Sequence, residues 1–462
     1  MNKSNRRILL VIGPLLMILC TVLLPAAIFE TLESRAAIGT VVWMAFWWIT
    51  GPVDYAVTAF LPIAVNAVLQ MVDMKSITAN YASETILLLL GASILTASWE
   101  QTGLDKRIAI RFLNLIGSNL KKQVVFWFLL SAILSSVLPN AVVCATITPM
   151  LNYIGERDVA SSRIASKILL TIAYAAGVGG LASPLGGAMN LVVIDYIQQI
   201  TGSEYIYLDW VVRFFPIMIL LFVSNILFLI RDVDKSEDLG ASNEYFANEL
   251  KKMDKMSFEE KVSLALFLIA TVLSFARQAY QNILPGLKPA YVFLTCAIIA
   301  FFITDTSGNR LLMWKSVQTK IIWELIYVFA GGLAAGPLIN DSGAAAAIGN
   351  AVSQMGLKGG LVTVFVIMCF TLVLSDVTSN TATAAVAVPI VVSILQGIGE
   401  NPLPYIYVAT VGVNLSYCFP TSIRAIPVGY GLQPKYMLKE GLKLSAIVIV
   451  LMTASCYFLF AR

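Results

Sequence analysis

Histidine is absent from all 462 residues, and charge is scarce: Asp, Glu, Lys and Arg make up 13% of the chain against 58% hydrophobic residues. Without an imidazole there is no Ser/His/Asp triad and no His-ligated zinc. Ordinary soluble domains are about 25% charged. Half that fraction cannot cover the surface of soluble domains this size, and the mean hydropathy of +0.82 points the same way. A cytosolic globular enzyme, a disordered chain and a coiled coil are thereby excluded. What remains is an all-α polytopic membrane protein. The net charge of +4 holds no basic block suited to nucleic acid. The six cysteines (Cys20, Cys144, Cys296, Cys369, Cys418, Cys456) lie in apolar runs and form no C-x-x-C pair, so they read as small apolar side chains rather than disulfide or metal partners.

A span needs about 20 mostly apolar residues. Candidates are 8–29, 37–58, 85–99, 124–138, 164–182, 209–230, 262–277, 289–304, 321–339, 360–374, 404–418 and 443–460. The first of these follows Lys3, Arg6 and Arg7 but shows no small-residue cleavage site, so it reads as a retained helix rather than a signal peptide. Apolar segments are broken around 139–149, 177–190, 379–389 and 419–431, the pattern of transporter sites in which irregular backbone lines a cavity. The one long polar stretch, 231–261, reads as an amphipathic or solvated linker.

Shifting the chain by 240 positions superposes Glu84 on Glu324, Gly91 on Gly331, Gly103 on Gly343, Ser135 on Ser375, Asn140 on Asn380 and Pro149 on Pro389. Most of these residues are rare inside spans, and no gap is needed. We read a two-fold internal repeat. Charge then suggests inversion. The loop at 104–122 carries Lys106, Arg107, Arg111, Lys121 and Lys122, whereas its counterpart at 344–362 has only Lys358. Lys and Arg favour short cytoplasmic loops, so the two face opposite sides. The N-terminus, the 231–261 linker and the Lys435/Lys439/Lys443 cluster then lie on the cytoplasmic side of the cell membrane. The expected organisation is scaffold helices over 1–58, a first inverted repeat over 59–208, connecting helices over 209–299, and a second repeat with the last helix over 300–462. Re-entrant hairpin tips fall at 139–141 and 379–381, and the broken helices at 177–190 and 419–431.

The second tip lies in Ser375-Asp376-Val377-Thr378-Ser379-Asn380-Thr381-Ala382-Thr383. So many polar groups in an apolar chain are costly unless they find partners. If a half-helix starts at Ser379-Asn380-Thr381, its free N–H groups and dipole favour an anion, and the Asn380 carbonyl oxygen suits a cation. The plain alternative is that Ser and Thr bond back to their own helix or glue neighbouring helices. Glu84 and Glu324 begin matching helices, where acids complement the dipole. Trp43, Trp47 and Trp48 look like an interfacial aromatic belt.

This stretch resembles the divalent anion/sodium symporters, the sodium-coupled di- and tricarboxylate transporters, whose signature is a Ser-Asn-Thr tripeptide at each of two hairpin tips. Gly91-Ala92-Ser93-Ile94-Leu95, Gln101-Thr102-Gly103-Leu104-Asp105-Lys106-Arg107 and Val328-Phe329-Ala330-Gly331-Gly332-Leu333-Ala334 resemble the family too. The resemblance implies sodium ligands four residues before each tip, at Ser135 and Ser375. The first tip departs, reading Pro139-Asn140-Ala141, and so loses both hydroxyls. The family's broken helices run close to G-(S/T)-P-P-N and A-T-P-P-N. Here they read Gly186-Gly187-Ala188-Met189-Asn190 and Pro420-Thr421-Ser422-Ile423-Arg424. By that resemblance a small dianionic carboxylate is held by Asn140, Gly187, Ser379, Asn380, Thr381, Thr421 and Arg424. Sodium is held by Ser135, Asn140, Gly186, Ser375, Asn380 and Pro420.

An intramembrane arginine is a functional candidate by default. Arg424 either pairs with a substrate carboxylate, snorkels to the interface, or neutralises Asp376. Asp376 is either a proton or sodium carrier or that partner. The resemblance implies an elevator motion on a scaffold that dimerises within membrane lipid. The expected function is therefore sodium-coupled secondary transport of a small divalent anion, a C4-dicarboxylate or a related carboxylate. Proton coupling or obligate exchange is the alternative. An enzyme would need a nucleophile and base pair that the chain does not offer, and a channel is usually built from symmetric rings.

Overall fold

In a computed structural model the described residues are 3–113, 119–138, 140–148, 163–233, 242–304, 308–321, 323–348, 358–420 and 422–461. Among them the chain is helical, with no strand and one isolated bridge between Thr304 and Arg310. Helices long and apolar enough to cross a membrane include Arg6–Leu23, Tyr207–Ile230, Asn380–Gly397 and Pro434–Phe460, with shorter apolar helices such as Leu361–Val377 between them. The protein is an all-α polytopic membrane protein.

We number the helices used below in chain order. They are α1 (Lys3–Leu23), α2 (Leu32–Thr50), α3 (Leu61–Leu69), α4 (Glu84–Thr102), α5 (Leu104–Leu113), α6 (Leu120–Ser135), α7 (Asn140–Ile147), α8 (Arg163–Gly180), α9 (Ala188–Thr201) and α10 (Tyr207–Ile230). Then follow α11 (Ser242–Lys252), α12 (Phe258–Phe275), α13 (Pro289–Phe302), α14 (Trp323–Asp341), α15 (Leu361–Val377), α16 (Asn380–Gly397), α17 (Pro402–Asn414), α18 (Ala425–Gly429) and α19 (Pro434–Phe460).

Elements recur at the offset read from the sequence. α4 opens on Glu84 and stops at Gly103, whose φ is +75°; α14 carries Glu324 in its first turn and is followed by Gly343, φ +80°. Both stops use the left-handed conformation that glycine adopts without steric cost. α7 and α16 each open on the matched asparagine. Glu84 also accepts from Lys288 Nζ at 2.8 Å, and Glu324 accepts the Tyr55 N–H at 3.1 Å, so each acid joins its helix start to a neighbour.

Four expectations need correction. The second break begins at Leu415, not 419, because Leu415 to Cys418 count as apolar while their backbone is held by side chains rather than by a helix. The first break is narrower than 177–190, running over 181–187. The segment 379–389 is not broken beyond its tip, since α16 continues through Pro389. Trp47 and Trp48 are buried and donate to the Leu9 and Tyr55 carbonyls, so they turn inward rather than forming a lipid-facing belt. Among the described residues the polar linker holds α11 and the start of α12, and the 104–122 stretch carries the amphipathic α5, whose Arg107 meets Glu260 at 2.6 Å.

Exposed large side chains form helical stripes. On α10 they are Leu208, Val212, Phe215, Ile219, Val223 and Leu227, spaced three or four apart. Such stripes are an aggregation hazard in water and the natural outer face in lipid. Inside, small residues let helices touch, as is usual where lipid removes the hydrophobic drive for helix association. A β-carbon on Gly91 would come within 2.7 Å of the Leu294 backbone nitrogen, so α4 and α13 meet at van der Waals limits.

Gly91→Val is therefore expected to force α4 and α13 apart, at a cost of about 1–3 kcal/mol or more. A melting curve of the detergent-purified variant checks this. An unchanged melting temperature would mean that the contact is not tight.

Candidate functional site

A helix interrupted inside a bilayer leaves carbonyls and N–H groups that water cannot reach, so each must find a protein partner. Both interrupted helices meet that demand with side chains from the hairpins beside them.

At the first break, Ser135 closes α6. Its Oγ donates to the Ala176 carbonyl at 2.7 Å and lies 2.5 Å from Asn140 Oδ1, with Ser135 fully buried. One hydroxyl proton cannot serve both oxygens well. Three oxygens (Ser135 Oγ, Asn140 Oδ1 and the Ala176 carbonyl) thus converge without a charge among them, a donor set suited to a hard monovalent cation. Gly180 and Gly186 make the close approach possible. A β-carbon on Gly180 would lie 2.6 Å from the Asn140 amide nitrogen, and one on Gly186 would lie 2.5 Å from the Ser135 carbonyl. Gly187 then caps α9 in extended geometry.

The second break repeats the plan with more polar groups. Ser375 Oγ donates to the Val413 carbonyl at 2.7 Å, and Ser416 Oγ donates to Asn380 Oδ1 at 3.0 Å. Asp376 Oδ1 accepts the N–H groups of Tyr417 and Cys418 at 2.5 and 2.8 Å. Tyr174 supports the same stretch by donating to the Tyr417 carbonyl at 2.9 Å. Ser379 caps α16 by accepting from the Ala382 N–H at 3.1 Å, which keeps its own proton for an outside acceptor. Thr378 and Thr383 hydroxyls lie 2.7 Å apart beneath it. Bonding back to the own helix thus describes Thr378 and half of Ser379's capacity, and bonding to a neighbouring helix describes Ser375.

Arg424 is fully buried, which overturns snorkelling to the interface. Its guanidinium donates to the carbonyls of Phe419 at 3.2 Å and Ser416 at 3.2 Å, and to Asn380 Oδ1 at 3.4 Å. It therefore both satisfies the unwound backbone and aims positive charge at the tip, with Asp376 close enough to feel it. Thr381 is buried in the first turn of α16, and Pro420 is exposed at the end of the break. Thr421 and Pro139 lie outside the described residues.

The structure thus brings together Ser135, Asn140 and Gly186 on one side, and Ser375, Ser379, Asn380 and Arg424 on the other. Sequence reasoning missed Ser416 and Asn414, which looked like the end of a continuous span. Their signal was polarity at the last turn of an apolar helix. Asn414 reaches the first break, donating to Asn190 Oδ1 at 2.9 Å.

Residues 45–412 match a family model described as a citrate transporter. The chain is 26% identical to the sodium-dependent dicarboxylate transporter SdcS of Staphylococcus saprophyticus, covering 99% of this chain and 92% of that protein. It is 27% identical to the protein of the same name from Staphylococcus aureus strain bovine RF122 / ET3-1, over 97% and 91%. Two solved structures share the fold. The Neisseria gonorrhoeae MtrF structure, described as illuminating a class of antimetabolite efflux pumps, aligns at a TM-score of 0.56 and 14% identity, covering 96% of this chain and 97% of that one. The Alcanivorax borkumensis YdaH transporter aligns at 0.52 and 11%, covering 83% and 86%.

Asp376→Ala removes the acceptor of two buried N–H groups, an expected loss of about 2–6 kcal/mol if each orphan carries its usual penalty. Asp376→Asn keeps one carbonyl oxygen and loses less. Thermal melts of both variants decide the matter; equal losses would mean that the carboxylate does not hold the break.

Proposed function

The chain belongs to the citrate transporter family, and from that premise we propose that it carries small dianionic carboxylates of the C4-dicarboxylate class across the cell membrane, coupled to sodium. The protein is a transporter rather than an enzyme. The observation that carries the reading is a matched pair of half-sites: Ser135 and Ser375 each donate to a carbonyl of the adjacent broken helix, and the tip amides Asn140 and Asn380 each accept from a serine hydroxyl, Ser135 and Ser416. Uncharged oxygens suit sodium. The opening N–H groups of α16, the Ser379 proton and the Arg424 guanidinium suit carboxylate oxygens. Two cations offset the substrate's two charges, which lowers the cost of taking it through a low-dielectric core. The staphylococcal relatives, named as sodium-dependent dicarboxylate transporters, agree with a dicarboxylate and sodium.

The same reading places the repeats upside down to one another, with the basic 104–122 stretch and the N-terminus cytoplasmic. The tips then meet near the middle of the bilayer. An elevator motion of the tip-bearing helices against the others, in a homodimer, completes it as the resemblance implies. One observation favours a second reading. Arg424 is fully buried with Asp376 beside it, and moving that charged pair through the core without a substrate is costly, which suits obligate exchange.

Uptake of labelled succinate into proteoliposomes tests both. Dependence on an inward sodium gradient with empty vesicles supports symport, whereas uptake only into vesicles preloaded with dicarboxylate, without need of sodium, supports exchange. Ser379→Ala and Asn380→Ala are expected to abolish uptake while the protein still folds. Arg424→Ala is expected to raise KM for the dianion about ten-fold or more, the scale of one lost charged hydrogen bond. Wild-type kinetics in all three variants would remove the site.

A further inference from the structure

Besides the Tyr174 bond to the Tyr417 carbonyl, the two broken helices are joined by a side-chain pair whose geometry leaves no choice of orientation. Asn190 is fully buried, and its Nδ2 donates to the Gly180 carbonyl at 2.7 Å and the Ser183 carbonyl at 2.9 Å. Both are carbonyls and only accept, so the nitrogen must face them and Oδ1 must face Asn414. Asn414, also buried, donates from Nδ2 to Asn190 Oδ1 at 2.9 Å and to the Thr410 carbonyl at 2.9 Å. Its own Oδ1 is buried without a hydrogen-bond partner. Leaving a buried acceptor unpaired is destabilising. A leucine there would remove that orphan but strand Asn190 Oδ1 instead, so the two amides are matched to each other across the gap between the helices.

We propose that the Asn190–Asn414 amide bridge is the positioning element that couples the two cation half-sites, so that filling either one sets the geometry of the other. This rests on the two-site reading above. The bridge ends on the rims of both sites. Asn190 clamps the carbonyls of Gly180 and Ser183, and Gly180 packs on the Asn140 amide while Gly186 abuts Ser135 and Gly180. Asn414 follows Val413, whose carbonyl takes Ser375, and precedes Ser416, whose hydroxyl and carbonyl hold Asn380 and Arg424. All four amide protons of the pair are spent, so neither residue can re-pair locally if the breaks shift apart. A cation that pulls in the Ser135–Asn140–Ala176 oxygens moves the 180–187 backbone, and the bridge carries that shift to residues 413–416. Neither residue has been given a part in contacting substrate or ion.

Sodium titration of succinate uptake in proteoliposomes tests the coupling, with the full-length protein and the variants Asn414→Leu and Asn414→Asp. The leucine removes every polar contact at matched volume. The aspartate keeps the shape, lacks the N–H donors, and covers the case in which the leucine variant does not fold. The expected result is a cooperative wild-type curve and a Hill coefficient that falls in the variants toward the lower value of two independent required sites. Half-saturating sodium is expected to rise at least about five-fold, the low end of ordinary coupling. A merely structural role would lower the melting temperature and maximal rate and leave the Hill coefficient alone. A cooperative wild-type curve that either folded variant retains overturns the coupling and leaves the two-site reading intact. A wild-type Hill coefficient of one removes the two-site reading and the coupling with it.

Discussion

Backbone polarity in a medium without water is the constraint on which the rest depends. Each interrupted helix strands carbonyls and N–H groups that would cost several kcal/mol apiece in lipid, about what a whole domain has to spare. The chain answers with a small set of buried side chains. Ser135 and Asn190 hold the first break; Ser375, Asp376, Ser416 and Arg424 hold the second. The groups that satisfy the backbone are also the groups able to receive a cation or an anion. Under the proposed function, structural need and transport chemistry fall on the same residues.

The two half-sites are alike in plan and unlike in charge. The first is built from neutral oxygens around glycine-lined backbone, with no ionised side chain bonded to them among the described residues. The second adds Asp376 and Arg424, which interact through the unwound 416–419 segment as well as through space. An arginine held this way is preorganised: its donors are oriented in advance, so in the proposed role little entropy would be lost to a carboxylate. Small residues on the crossing helices matter for a related reason. Gly332 faces Ala385 so closely that a β-carbon would collide with it, and the tip-bearing α16 can lie against α14 only because neither residue projects.

Much of this was legible in the residues. Composition excluded a soluble enzyme, and the recurrence of Glu, Gly, Ser and Asn at a fixed offset placed α4 against α14 and α6 against α15 as equivalents. The hairpin tips were found because hydroxyls and amides stand out in an apolar run. Boundaries fared worse for a definite reason. Leu415 to Cys418 look like span, and hydropathy cannot register that a distant carboxylate, Asp376, has taken two of their N–H groups. The tryptophans misled in the same way, since an indole near a helix end suits an interface and an interior equally until its hydrogen-bond partner is known.

Period, composition and rare residues in matching places determined the class of protein, the repeat and the two clusters of polar groups, because these are properties of the chain read locally. Partnership was decided only by the tertiary structure. Whether Arg424 faces lipid or a carbonyl, whether Ser379 serves its own helix or a ligand, and whether Asn414 meets Asn190 across 224 positions all depend on which helices pass within about 3 Å of one another. Hydrogen bonds are short and directional, and sequence spacing carries no record of them once the partners lie on different helices.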